Sequence, residues 1–93
     1  MRPTLIVGLR PDQAAQVARR HPGLQLRHLA STQGPKTLAA QAAAADRVLI
    51  MVRFVTHQHQ VVAMQHCARV SLVLGGLSSL DRALAALEAT THA

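Results

Sequence analysis

Apolar and polar positions alternate along this chain in short blocks, and the blocks switch repeatedly between the two periods that define strands and helices. Thr4-Leu-Ile-Val-Gly-Leu9 is a brief apolar, partly β-branched run that ends beside Gly8 and Pro11, as a buried strand does. Pro11 and Asp12 suit a first helical turn, and Ala14, Val17, Ala18 and His21 follow at helical spacing until Pro22-Gly23 stops the pattern. From Leu24 to Leu29 apolar and polar residues alternate, which predicts a half-exposed strand at a sheet edge. Ala30 to Pro35 reads as a loop. Lys36 to Ala45 reads as an Ala-rich helix whose only large apolar side chain is Leu38, so it is expected to be the least firmly held.

The second half repeats the scheme. Arg47 to Arg53 encloses Val-Leu-Ile-Met-Val, a continuous apolar run that predicts a central strand covered on both faces. A helix is predicted from Thr56 or His57 to about Ala68, with Val61, Met64, Cys67 and Ala68 on its core stripe. Val70 to Leu74 reads as a fourth strand, broken by Gly75-Gly76. Ser78 with Asp81 resembles a capping box, and Leu80, Ala83, Leu84 and Leu87 carry the stripe of a last helix. Strands spaced by single helices imply right-handed βαβ units. The expected fold is therefore a three-layer, Rossmann-like or flavodoxin-like α/β domain spanning residues 1–93. It has four helices and a four-stranded parallel sheet in the order 2-1-3-4.

Composition narrows the class. A chain of 93 residues has room for one core, built here from Ala, Leu and Val, because Phe54 is the only aromatic side chain. Cys67 stands alone, so no internal disulfide can form and a reducing compartment is expected. The apolar runs Leu5–Val7 and Val48–Val52 are too short for a signal-peptide core or a membrane span, which predicts a cytoplasmic protein with no membrane partner. The formal charge of +6 favours anionic partners. Its cations are scattered singly apart from Arg19-Arg20, and no aromatic platform exists for bases, so any nucleic-acid binding is expected to be weak and non-specific. The thin second helix and the apolar fourth strand suggest a homodimer.

The residues at the strand ends exclude several chemistries. The turn Gly8-Leu9-Arg10-Pro11 lacks both the dinucleotide fingerprint and the Gly-Lys-Ser/Thr of a P-loop. A phosphate-accepting receiver needs carboxylates where Arg10 and Phe54 stand, and a cysteine phosphocarrier needs its Cys after the first strand. His59 and His66 are seven residues apart, about 10.5 Å along a helix, and cannot chelate one ion together; both are expected on the solvated side of the third helix. No cofactor is predicted.

What remains is a location. Parallel sheets bind ligands outside the carboxyl ends of their strands, near the point where strand order reverses. Arg10, Thr56, His57, Gly75, Gly76, Ser78 and Ser79 fall there, and a helix N-terminus preceded by two glycines can cradle an anion. The expected function is a non-catalytic binding or regulatory module for a small anionic ligand or a partner protein. One alternative is a metal or haem module using His57 with Cys67 or another histidine. Another is a small enzyme with His57 as acid/base, although no carboxylate stands at a strand end to orient that ring. Cys67, on the stripe, is expected to behave as a small hydrophobe.

The strand ending in Gly8, Ala45-Asp46-Arg47-Val48 before the buried strand, Val55-Thr56-His57 after it, Cys67 ten residues on, and Gly76-Leu77-Ser78-Ser79-Leu80 at the last helix resemble, in order and spacing, a bacterial family of small Rossmann-like domains, domain of unknown function 2325 (DUF2325). The resemblance covers nearly the whole chain. It implies the fold and a ridge of recurring residues at the strand ends, with Thr56, His57 and Cys67 at family-typical positions, and it brings no activity. Leu9 stands where members have a second glycine, which argues against a phosphate role for that turn.

Overall fold

The four apolar runs become the four strands of one sheet: β1 (Thr4–Val7), β2 (Leu26–Leu29), β3 (Arg47–Met51) and β4 (Val70–Val73). Four helices connect and follow them: α1 (Pro11–Arg20), α2 (Pro35–Ala44), α3 (His57–His66) and α4 (Leu77–Thr91). The computed structural model describes residues 2–91. The strands pair in parallel in the order β2-β1-β3-β4, with Leu5 beside Arg27 on one side and Val48 on the other, and Ile50 beside Leu72. The α/β class, the parallel sheet and its strand order are as the sequence predicts.

Strand alternation sends β1 and β3 side chains to both faces, which is why neither strand has a polar stripe. Leu5, Val7, Val48 and Ile50 meet Leu38 and Ala42 of α2 and Ala63 of α3 on one face. Ile6, Leu49 and Met51 meet Val17 of α1 and Leu80 and Leu84 of α4 on the other. Right-handed crossovers require this division, because the first crossover steps one way along the sheet and the next two step back. Leu38 is fully buried, and the small Ala42 beside it lets α2 lie close against the sheet and α3.

Three expectations need correction. Beyond β3 the apolar run does not stay extended to Arg53: Val52–Phe54 is a single 3-10 turn. The core stripe of α3 is also rotated, with Ala63 buried and Val62 and Cys67 half-buried, while Val61, Met64 and Ala68 are exposed. That helix lies over β3 and β4 with α2 on one flank only, so its other flank meets solvent. At α4, Gly76 rather than Ser78 precedes the first turn, and its carbonyl accepts the Leu80 N–H at 3.1 Å. Asp81 is therefore one turn inside the helix and caps nothing; it pairs instead with Arg20 and His21 of the α1 end.

Candidate functional site

At the carboxyl edge of the sheet the chain first leaves β1 through Gly8, whose φ of +116° is open only to glycine at low cost. A Cβ there would stand 3.1 Å from both Met51 Cβ and Val55 Cγ1. The connection from β3 to α3 is thus folded down onto the β1 turn, and Leu9 is fully buried beneath it. The crevice that the strand order opens at this point is filled on the Gly8 side by the chain itself.

Arg10 follows, exposed and engaged locally. Its Nε and Nη2 donate to the two oxygens of Asp12 at 3.1 and 3.2 Å, and the Gln13 Oε1 accepts the Arg10 N–H at 3.1 Å. The hydrogen bond from Arg10 holds the Asp12 carboxyl below the usual aspartate range, and the same contact raises the guanidinium. Gly75 lies under the Ser79 side chain, so the glycine pair is partly covered and not an open cradle; a Cβ on Gly75 would fall on the Ser79 hydroxyl. A Cβ on Gly76 would meet nothing within 4 Å, and Ser78 is exposed.

A recess at this edge lies between the starts of α2 and α3. Thr56 precedes α3, and its backbone N–H points at Nδ1 of His59, 3.2 Å away, with its hydroxyl 2.8 Å from the same nitrogen. An amide can only donate, so Nδ1 is the acceptor and the ring proton sits on Nε2. Nε2 in turn donates to the Ser31 carbonyl at 3.1 Å, tying the β2–α2 loop to α3. His59 therefore works as the reaching residue of a capping box, in the position usually held by Glu or Gln. Its place is inward of the solvated side expected for it, while His66 is exposed. Beside this tie is a cleft of about 250 Å³ lined by Gln33, Pro35, Leu38, Thr56, Gln58, His59 and Val62. Pro35, Leu38 and Val62 supply apolar surface, the glutamines and Thr56 a polar rim, and the N-terminal ends of two helices face it.

Thr56 alone among the residues expected at the site lines this cleft. His57 begins α3, but positions 57, 61 and 64 share the flank turned away from positions 58, 59 and 62, so its exposed ring faces the other side of the helix. Arg10 and the segment Gly75 to Ser79 stand at the starts of α1 and α4, across the sheet from α2 and α3. The expected set is thus divided between the two faces.

The carboxylates and the thiol are engaged away from the cleft. All four acidic residues of the chain are paired: Asp12 with Arg10, Asp46 with Arg69 at 3.6 Å, Asp81 with Arg20 and His21, and Glu88 with His21. Cys67 follows α3 at the amino end of the sheet, half-buried against the core, with its thiol directed at the carbonyls of Ala45 and Arg69. His57 and Cys67 are ten residues apart at opposite ends of one helix, about 15 Å, too far for one ion to touch both within a chain. Among the described residues no group of three or more His, Cys, Asp or Glu side chains is placed to hold a metal, and no helix is long and apolar enough to cross a membrane.

No protein family model, curated protein or solved structure matches the chain. The site is read from its own geometry. Sequence reasoning missed His59 and Gln58 as cleft residues; the signal present in the chain is the three-residue step from Thr56 to His59, a capping-box spacing with an unusual residue at its end.

Proposed function

We propose that this domain is a non-catalytic binding module that takes a small anionic molecule with an apolar part in the cleft between α2 and α3. The observation that carries the proposal is the cleft's composition. Its floor of Pro35, Leu38 and Val62 suits a hydrocarbon or ring, and its rim of Gln33, Thr56 and Gln58 offers neutral hydrogen-bonding groups. Two helix N-termini favour negative charge there. No carboxylate lines the cleft, so none is within reach of a molecule bound there to act as a general base. The resemblance to DUF2325 is compatible with this reading and adds no activity to it.

The test is an amide NMR titration with inorganic phosphate, benzoate and phenyl phosphate as probes. The reading expects saturable shifts centred on Gln33, Thr56 and Gln58, tighter for phenyl phosphate than for phosphate. Val62→Trp, which fills the floor, should abolish them in a protein that remains folded. Saturable shifts centred on Arg10 and Gly75-Gly76, or no saturable shift in the millimolar range, would overturn it.

A further inference from the structure

His59 is the only ionisable side chain among the seven residues that line the cleft between α2 and α3. In a capping box its position ordinarily belongs to Glu or Gln, and a Glu would bring a permanent negative charge to the positive end of the helix. Here the place is held by a ring whose charge depends on pH. As a neutral ring it uses both nitrogens: Nδ1 accepts the Thr56 N–H at 3.2 Å, and Nε2 donates to the Ser31 carbonyl at 3.1 Å. No carboxylate stands ready to compensate a charged ring. The acids of the chain are Asp12, Asp46, Asp81 and Glu88, and none belongs to α2, to α3 or to the segments leading into them. The other ionisable side chains on those elements are Lys36 on α2, Arg53 in the 3-10 turn, and His57 and His66 at the two ends of α3.

We infer that His59 is a proton-operated latch on this cleft: the neutral ring occupies the Thr56 N–H, and the protonated ring releases that donor and supplies a positive charge, so that an anion binds with uptake of one proton. The inference rests on the reading of the cleft as an anion site and adds its regulation. The second proton comes from solvent and goes onto Nδ1, the ring nitrogen without one. Nδ1–H then faces the Thr56 N–H, donor against donor, and that hydrogen bond is lost. Nδ1–H has the Thr56 hydroxyl 2.8 Å away as an acceptor, and Nε2 keeps the Ser31 carbonyl, so the ring stays at the rim while the Thr56 N–H comes free.

The protonated state lacks two things at once, an acceptor for the Thr56 N–H and a counter-charge for a cation placed at the positive end of α3. Water can accept from the amide but does not neutralise the ring. An anion does both, and with no carboxylate on these elements it must come from outside the chain. The neutral ring, by contrast, keeps the same amide for itself. Protonation therefore favours the anion, and the anion favours protonation by the same factor. Anion affinity rises as pH falls through the range in which a histidine gains its proton.

NMR of the whole chain between about pH 7.5 and about pH 5.5 tests it, first without ligand and then with benzoate, a carboxylate that stays ionised across this range. Without ligand, the Thr56 amide proton should move upfield with the same midpoint as the His59 ring. His59→Gln, whose side chain can accept the Thr56 N–H but does not titrate, should hold that amide fixed, and His57→Gln should leave the wild-type transition in place. Circular dichroism confirms that each variant is folded. With benzoate, the wild type should bind on the order of tenfold tighter at the lower pH, and His59→Gln equally at both. A His59 ring that takes no second proton in this range, or takes one while the Thr56 amide stays still, defeats the inference. Equal benzoate affinity at both pH values in the wild type also defeats it and leaves the anion site standing. A Thr56 amide that switches in a protein that binds no benzoate supports the latch and removes the anion site.

Discussion

His21 Nδ1 lies 2.7 Å from Glu88 Oε1, joining the end of α1 to the last turns of α4 across 67 residues of chain. The other ring nitrogen, Nε2, lies 3.1 Å from Asp81 Oδ1, and Asp81 also accepts from Arg20 at 2.7 Å. The ring is buried and the two carboxylates are about 28% exposed, so this polar clasp sits at the margin of the core rather than in open solvent. Carboxylates only accept, and both contacts are hydrogen bonds when each ring nitrogen carries a proton. Asp81 and Glu88 are seven residues apart, two turns of one helix, which is the spacing at which one ring can reach both.

His21→Ala is therefore expected to cost about 2–3 kcal/mol, since it removes two hydrogen bonds to charged groups and leaves two neighbouring carboxylates with one cation between them. Urea unfolding of the variant measures it. A loss below about 0.5 kcal/mol, the range of an ordinary surface change, would mean that α1 and α4 are held by Val17, Leu80 and Leu84 alone.

Gly8→Ala is expected to destabilise by about 3 kcal/mol. The new Cβ needs a φ that L residues rarely adopt and must fit 3.1 Å from Met51 and Val55. Gly34→Ala is the control, because a Cβ there meets nothing within 4 Å and its φ is ordinary; thermal melting should separate the two clearly.

His59→Ala should cost about 1 kcal/mol by breaking the contacts to Thr56 and Ser31 together. His59→Glu should recover part of that loss, since a carboxylate can accept the Thr56 N–H but cannot donate to the Ser31 carbonyl. A long-range nitrogen-15 spectrum of the wild type near neutral pH should show the proton on Nε2. A proton on Nδ1 instead would contradict the Thr56 contact.

At Arg10 and Asp12 the expected effect is a pH dependence confined to acid. The Asp12 carboxyl is held below its ordinary value by the Arg10 hydrogen bond, so the pair contributes above the unfolded pKa of about 3.9 and is lost as pH falls through the lower folded value. A carbon-13 titration of the carboxyl should place its midpoint below that of an isolated aspartate. Arg10→Ala, or molar salt acting on this exposed pair, should move it back up.

Much of the architecture is local in origin and so is legible along the chain. The runs Leu5–Val7 and Val48–Met51 are continuously apolar because both faces of their strands are covered. The alternation in Leu24–Leu29 reports an edge, and strands separated by single helices leave few ways to form a parallel sheet. The same pattern marks the carboxyl ends of the strands as the place to look for a site. Periodicity does not say how far each helix is rotated about its axis. Val61 and Met64 have the spacing of a core stripe, and only the position of α2 against one flank of α3 decides that Ala63 and Val62 turn inward while Val61 and Met64 face out. Nor does it bring together residues far apart in sequence: His21 with Asp81 and Glu88, or Ser31 with His59. Those contacts depend on where whole elements come to rest, and the cleft forms where α2 and α3 meet beside Leu38 and Val62. Hydrophobic pattern determined which segments are buried; packing across the layers determined which side chains share a surface, because that is a property of pairs of elements and not of any one of them.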